Sequence, residues 1–442
     1  MVAEPANILR GRILHCVAGT AGQEFGVEYL EDGILAHAEG RIVALLPAAQ
    51  ALAQGMDLAG CRSIGPGLLV PGFIDTHVHA PQLEVMGSHS EQLLDWLERY
   101  TFPAEMRFAD EDFARLAMAG FLDALICQGT TSAMVYATSH YPATDSLFAA
   151  AAERAMCIIA GKVLMDRNAP PALQDCTRQG ISDSRTLIER WHGVDRLYYA
   201  VTPRFSVTSS AAQLEGAGML LKEYPTVYLQ THLSENHEEV ARVRQLFPDA
   251  SHYLDTYDRY GLCGERSVYA HCLHLEPAEL ARLAATGGKV AFCPSSNLFL
   301  GSGLFDWRQF DRAGVTVTLA SDVGAGTSLS MLGTLGDAYK VSQLSGNSLD
   351  AMRGFYSITL GNARALGLEH RIGSLESGSD ADFLILDPTG IPLLPGRIAA
   401  CRGIDEEWFA CMILGDDRLV RETWIAGVAR KRAPASTAGE AC

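Results

Sequence analysis

The chain has 442 residues, 48% of them hydrophobic, with 52 acidic against 35 basic side chains and a formal net charge of −17. That balance disfavours a nucleic-acid or anionic-membrane surface, since both attract basic patches, and no stretch reaches the roughly 18 apolar residues of a membrane span. Residues 1 to 12 carry no apolar leader core, so the expectation is a soluble, cytoplasmic chain whose partner is a small molecule. Eleven cysteines, an odd number scattered without CxxC pairs, read as free thiols rather than a disulfide framework. There is no Walker loop, no GxGxxG and no internal sequence repeat.

In chain order, residues 1–70 show short strand-like runs and turns (GRILHCV, DGILAHAEGRIVALLP) with no helical period. GLLVPGFIDTHVH (67–79) then ends an apolar run in Asp-x-His-x-His. Alternate side chains of a strand share a face, so His77 and His79 project together with Asp75. Two imidazoles on one face suit zinc, which takes nitrogen ligands at about 2.0–2.1 Å and keeps a position open for water when it is catalytic. Strand-like segments recur at TTSAMVY (130–136), IIAGKVLMD (158–166), LYYAVTPR (197–204) and GKVAFCP (288–294), and in TVYLQTH, SVYAH and TVTLASD, which end at His232, His271 and Asp322. Helix-length segments such as DEDFARLAMAGFLDALICQG and PAELARLAATGG lie between many of them. Eight strands alternating with helices imply parallel pairing and a closed (β/α)8 TIM-type barrel, an architecture of about 250 residues with its chemistry at the C-terminal strand ends. The barrel is expected over 71–370. IGSLESGSDADFLILD and DDRLVRETWIAGVARKR read as more short strands, so residues 1–70 and 371–430 are expected to form one small β-sandwich domain, with 431–442 a flexible tail.

The order HxH, His, His, Asp at successive strand ends resembles the amidohydrolase superfamily. Within it, DTHVHAPQ (75–82), YTFPAE (100–105), TPRFS (202–206), THLSEN (231–236), CPSSNLFLGSG (293–303) and SDVGAGTSLSM (321–331) resemble the guanine deaminases. The resemblance implies one Zn(2+) per chain, or Fe(2+) in its place, held by His77, His79, His232 and Asp322. It also implies a homodimer. His271 would be a catalytic group beside the metal, acting with Asp322 on the attacking hydroxide, and Glu235 would shuttle a proton. The bridging lysine of two-metal relatives is missing, because the fourth strand candidate ends in Arg204 and Lys162 lies on the third. Gln82 and Arg204 would read a purine base edge, with Phe205 as an apolar surface near the ring. The implied reaction is hydrolytic deamination of guanine to xanthine and ammonia. A related aminohydrolase or chlorohydrolase acting on cytosine, a modified nucleoside or a triazine is the alternative, and a non-catalytic scaffold the remote one.

The plainer readings are specific. Glu235 could be a helix-start carboxylate, Arg204 a rim ion pair and Gln82 a turn cap. His15, His37, His89, His192, His252 and His370 read as packing or surface residues. His140 and His237 stand nearer a candidate site in sequence, and His274 reads as loop or helix. Trp96 and Tyr100, four apart, read as a helical packing face.

Overall fold

Runs of β-branched and aromatic residues form sixteen strands among the described residues of the computed structural model, 7–20, 22–89 and 92–432. They are β1 Asn7–Ala18, β2 Phe25–Ala38, β3 Arg41–Pro47, β4 Arg62–Pro71, β5 Phe73–His79, β6 Thr130–Tyr136, β7 Cys157–Gly161 and β8 Val163–Leu164. After these come β9 Leu197–Pro203, β10 Tyr228–Leu233, β11 Ser267–His271, β12 Lys289–Phe292, β13 Val317–Leu319, β14 Phe383–Leu386, β15 Val420–Ile425 and β16 Val428–Arg432. Of the expected tail, 433–442 lies outside the described residues.

One sheet draws on both chain ends, in the order β16-β15-β14-β4-β1-β2-β3. Its pairs are antiparallel except β1 with β4, and Leu9, Ile13, Leu35, Leu69, Phe383 and Trp424 form its buried core. The N-terminal strands are longer than the sequence suggested, 12 and 14 residues for β1 and β2, and a helix follows at Ala48–Ala53. Gly11 pairs with Gly33, and the register slips between Gly11 and Ile13. That irregularity interrupts the apolar alternation and makes one long strand read as two short ones.

The other sheet is parallel and runs β5-β6-β7-β9-β10-β11-β12-β13, with β8 pairing β9. The two ends of the series meet, so the fold is a (β/α)8 barrel with a small sheet domain. At the seam the Asp322 amide donates to the His77 carbonyl (2.9 Å) and the His79 amide to that of Val323 (2.8 Å). Asn362 staples the same seam, its side-chain amide donating to the carbonyls of Ile74 (2.8 Å) and Leu319 (2.9 Å). Along the strands, neighbours fall into different buried clusters: Ile74, Met134, Ile159 and Ala291 belong to one, Phe73, Val135, Ile158 and Val290 to another. This is the alternation expected of barrel strands.

The expected strand over 158–166 is broken at Lys162. A Cβ at Gly161 would stand 1.8 Å from the Ala200 carbonyl oxygen, so only glycine allows the backbones this close approach. The buried Lys162 ammonium turns to Asp175 (2.5 Å). Farther along, helices at Leu394–Ala399 and Ile404–Leu414 return the chain to the barrel, where Trp408 packs on Phe73 and Phe355. Arg196, buried just before β9, ties barrel to sheet through Asp382 and, at 3.1 Å, Asp380. No helix among the described residues is long and apolar enough to cross a membrane.

Candidate metal centre and active site

His77 and His79 lie on β5, His232 on β10, and Asp322 three residues beyond β13 in left-handed backbone (φ 51°). Their ligating atoms lie within 4.8 Å of one another, and all four residues are buried. His77 Nε2 and His79 Nε2 are 3.2 Å apart, each is 3.2 Å from Asp322 Oδ1, and His232 Nε2 is 3.3 Å from His79 Nε2. His232 Nδ1 faces the Arg204 carbonyl at 2.8 Å. A carbonyl only accepts, so Nδ1 carries the proton and Nε2 turns a lone pair into the cluster. Burial, reinforced by the charge of the neighbouring imidazoles, pushes His232 well below the ordinary histidine range. His79 falls to about 3, again first through burial. Burial opposes ionisation of Asp322, but the facing His77 charge and the hydrogen bonds from His77 and His79 outweigh it and hold the carboxyl well below its usual range.

Ring nitrogens this close either share a proton or face a common cation, and His232 Nε2, with its proton held on Nδ1, has a lone pair to offer. Three imidazoles and one carboxylate are a donor set that zinc accepts, so these residues fit a divalent metal. The Tyr136 ring buttresses the cluster, with centroids 4.8, 4.6 and 4.9 Å from those of His77, His79 and His232. Asp75, which the strand alternation grouped with the two histidines, braces the seam instead: it accepts from the Ser321 amide (3.0 Å), the Ser321 hydroxyl and the His77 amide (3.2 Å).

Glu235 and His271 stand beside the cluster. His271 Nε2 is 3.3 Å from Glu235 Oε2 and 3.7 Å from Asp322 Oδ2, and its Nδ1 meets Asn297 Oδ1 at 2.9 Å. Glu235 lies outside the helix that follows, His237–Leu246, whose cap is Asn236. Its amide donates to Glu239 Oε2 (2.8 Å), and Glu239 is pinned in turn by the Tyr253 hydroxyl (2.5 Å). Burial pushes the Glu235 carboxyl well above the usual carboxylate range, with Asp322 and Glu239 adding to it. A carboxyl displaced in this direction, beside His271 and the ligand cluster, has the character of a proton-transfer group. Ser234, His271, Cys272 and Asp322 all have left-handed backbone, a conformation that costs free energy and collects at functional sites.

The residues expected to read a substrate meet on a further buried acid. Glu105 Oε1 accepts from Gln82 Nε2 (3.0 Å) and from Arg204 Nη1 (2.8 Å), while the Arg204 guanidinium lies 5.6 Å from the centre of the Phe102 ring. The rim ion pair considered for Arg204 is thus real but fully buried. Gly324 makes room for the Gln82 loop, since a Cβ there would stand 2.7 Å from the Gln82 carbonyl oxygen. Phe205 packs edge-on to His232, with centroids 6.4 Å apart. A cavity of about 500 Å³ opens alongside, lined by Leu94, Leu97, Phe102, Phe205 and Val207 among others.

Residues 68–430 match the model of the amidohydrolase family. The chain belongs to the amidohydrolase family. A guanine deaminase of Escherichia coli K12 is 45% identical over 401 residues, 91% of each chain. The solved E. coli guanine deaminase superposes with a TM-score of 0.93 at 43% identity, over 96% of this chain and 99% of that one. A guanine deaminase from C. acetobutylicum, solved with bound guanine in its active site, gives 0.86 at 28% identity, over 96% and 100%. This chain groups with those deaminases inside the amidohydrolase family.

The remaining histidines of this amidohydrolase lie apart from the cluster. His15 and His37 are buried, the first between Ser374 and Glu28, the second against Phe383 and Trp424. His192 and His252 serve turns near Tyr199 and Asp255, and His89 and His370 are exposed. His140 bonds to Thr138, and exposed His237 stacks on His274. Trp96 is buried, and Tyr100 sits in a π turn at Leu97–Thr101. All ten described cysteines are free, and burial pushes the Cys272 and Cys293 thiols well up. Sequence reasoning missed Glu105, Glu239, Tyr136 and Asn297. Glu105 and Asn297 had a signal, their places in YTFPAE and CPSSNLFLGSG.

Proposed function

We propose that this amidohydrolase deaminates guanine to xanthine and ammonia, with His77, His79, His232 and Asp322 holding one zinc ion per chain and iron(II) as the alternative metal. The observation carrying the reading is that the buried imidazole and carboxylate cluster stands beside Glu235 and His271 and is joined, through the Arg204 carbonyl on His232, to the buried Gln82, Glu105 and Arg204 group. The 45% identity to a guanine deaminase, and the guanine bound in the C. acetobutylicum neighbour, support it. When bound, the metal supplies a water acidic enough to lose a proton near neutral pH.

Glu235 takes that proton and delivers it to a ring nitrogen, which makes the adjacent carbon electrophilic. His271 and Asp322 orient the incoming oxygen as it adds to the carbon bearing the exocyclic amine, and they stabilise the charge that develops there. The second proton of that water passes through Glu235 to the amine, the C–N bond breaks, and ammonia and xanthine result. Arg204 and Gln82 hold the purine edge against Phe205. A guanidinium donor suits the carbonyl oxygen of guanine and meets the amino group of adenine donor to donor. By the same family resemblance we infer a homodimer at work in the cytoplasm. The test is ammonia release by purified protein from guanine, adenine, cytosine and a triazine. Guanine should be strongly preferred, and faster turnover of cytosine or a triazine would leave only the metal-hydrolase class standing.

A further inference from the structure

We propose that Glu105 is a positioning residue of the purine site, whose carboxylate sets the orientation of Gln82 and Arg204 as one unit. The inference rests on the reading of those two side chains as purine contacts. Glu105 is fully buried and lies on the short helix Phe102–Met106, which follows directly on the π turn at Leu97–Thr101. Such turns shift the facing of a helix and recur at functional sites. Gln82 follows β5 and Arg204 follows β9. The acid on this third element is where the two side chains meet.

The chemistry of the shared oxygen fixes both partners. A carboxylate oxygen only accepts, so the amide nitrogen of Gln82 faces Glu105, and the amide oxygen points away, 3.4 Å from the Gly324 amide. Without the acid, only the long contact from the Gly324 amide opposes the amide's turning over and exchanging donor for acceptor on the substrate side. For Arg204, the bond from Nη1 and the Phe102 ring set the plane of the guanidinium, leaving the rest of its fork for a carbonyl oxygen. The acid also balances a buried cation in a site that must receive a neutral base. Removing one member of such a pair leaves an uncompensated charge. Glu105 Oε2 is buried without a hydrogen-bond partner among the described residues. In Glu105→Gln, therefore, the amide nitrogen can occupy the Oε2 position while its oxygen keeps accepting from Gln82 and Arg204. That variant removes the charge and spares the acceptor, whereas Glu105→Ala removes both.

Steady-state kinetics on guanine and metal content would be measured for the wild type, Glu105→Ala, Glu105→Gln, Gln82→Ala and the Glu105→Ala/Gln82→Ala double variant. Loss of a buried, charge-assisted alignment should raise KM for Glu105→Ala about 10–100-fold, with a smaller fall in kcat and unchanged metal. Glu105→Gln should recover part of the loss. The double variant should lose less than the product of the single losses, because both changes destroy the same alignment. A KM within about twofold of wild type at full metal content, or strictly multiplicative losses, overturns the assignment. Where Glu105→Ala does not fold, Glu105→Gln carries the test, a raised KM supporting the role and a wild-type KM overturning it. A wild type that turns over another purine in place of guanine defeats the functional reading alone, and the same variants read on that purine still decide the role of Glu105.

Discussion

The candidate site has two walls, and they are built differently. On one, four donors stand on or just beyond barrel strands, and backbone bonds across the seam join two of the strand ends. On the other, Gln82 and Arg204 sit past their strand ends and converge on an acid carried by a π turn and a short helix. Backbone hydrogen bonds between strands hold the first wall, with Asp75 and Asn362 bracing its seam. The second depends on one side chain for its alignment. Damage to the first wall should therefore appear in metal content and kcat, and damage to the second in KM and selectivity.

The largest effect is expected at the first wall. Asp322→Ala should bring guanine turnover to background and lower metal occupancy in elemental analysis, because a ligand is lost. Glu235→Gln, beside the same wall, should keep its metal while kcat falls on the order of 10²–10⁴-fold, the range for a general acid or base. Loss of metal in that variant would move Glu235 among the ligands. Arg204→Met, on the second wall, should leave metal content alone, raise KM for guanine roughly 10–100-fold, and narrow the guanine-to-adenine ratio in kcat/KM. If it depleted the metal instead, the two walls would not be separable. The smallest catalytic effect is expected far from both. Arg196→Met leaves Asp382 buried without its partner, a loss worth about 3–5 kcal/mol, so the thermal unfolding temperature should fall while KM for guanine stays at the wild-type value.

The same contrast explains what could be read from the sequence. The barrel was legible because strand periodicity is a local pattern, and donors that stop apolar runs brought out His77, His79, His232, His271 and Asp322; the choice of His77, His79, His232 and Asp322 as the metal set came from the family resemblance. Glu105 was not assigned a role, since its partner Arg204 lies 99 residues away and the π turn before it resets the helical facing that spacing would have suggested. Glu239 reads as one more acid in the NHEE run, yet it is buried and caps the Glu235 turn. Asn362 gives no sign in the sequence that its amide closes the barrel. The length of β1 and β2 was hidden by the facing glycines, and the break at Lys162 by an apolar run that continues on both sides of it.

The most direct test of the central claim is a metal titration: protein stripped by chelation is given zinc in steps while ammonia release from guanine is followed. Activity should start at background, rise linearly to one equivalent per chain and then level off. Full activity in the stripped protein, or a rise that continues to two equivalents, would contradict the single site formed by His77, His79, His232 and Asp322.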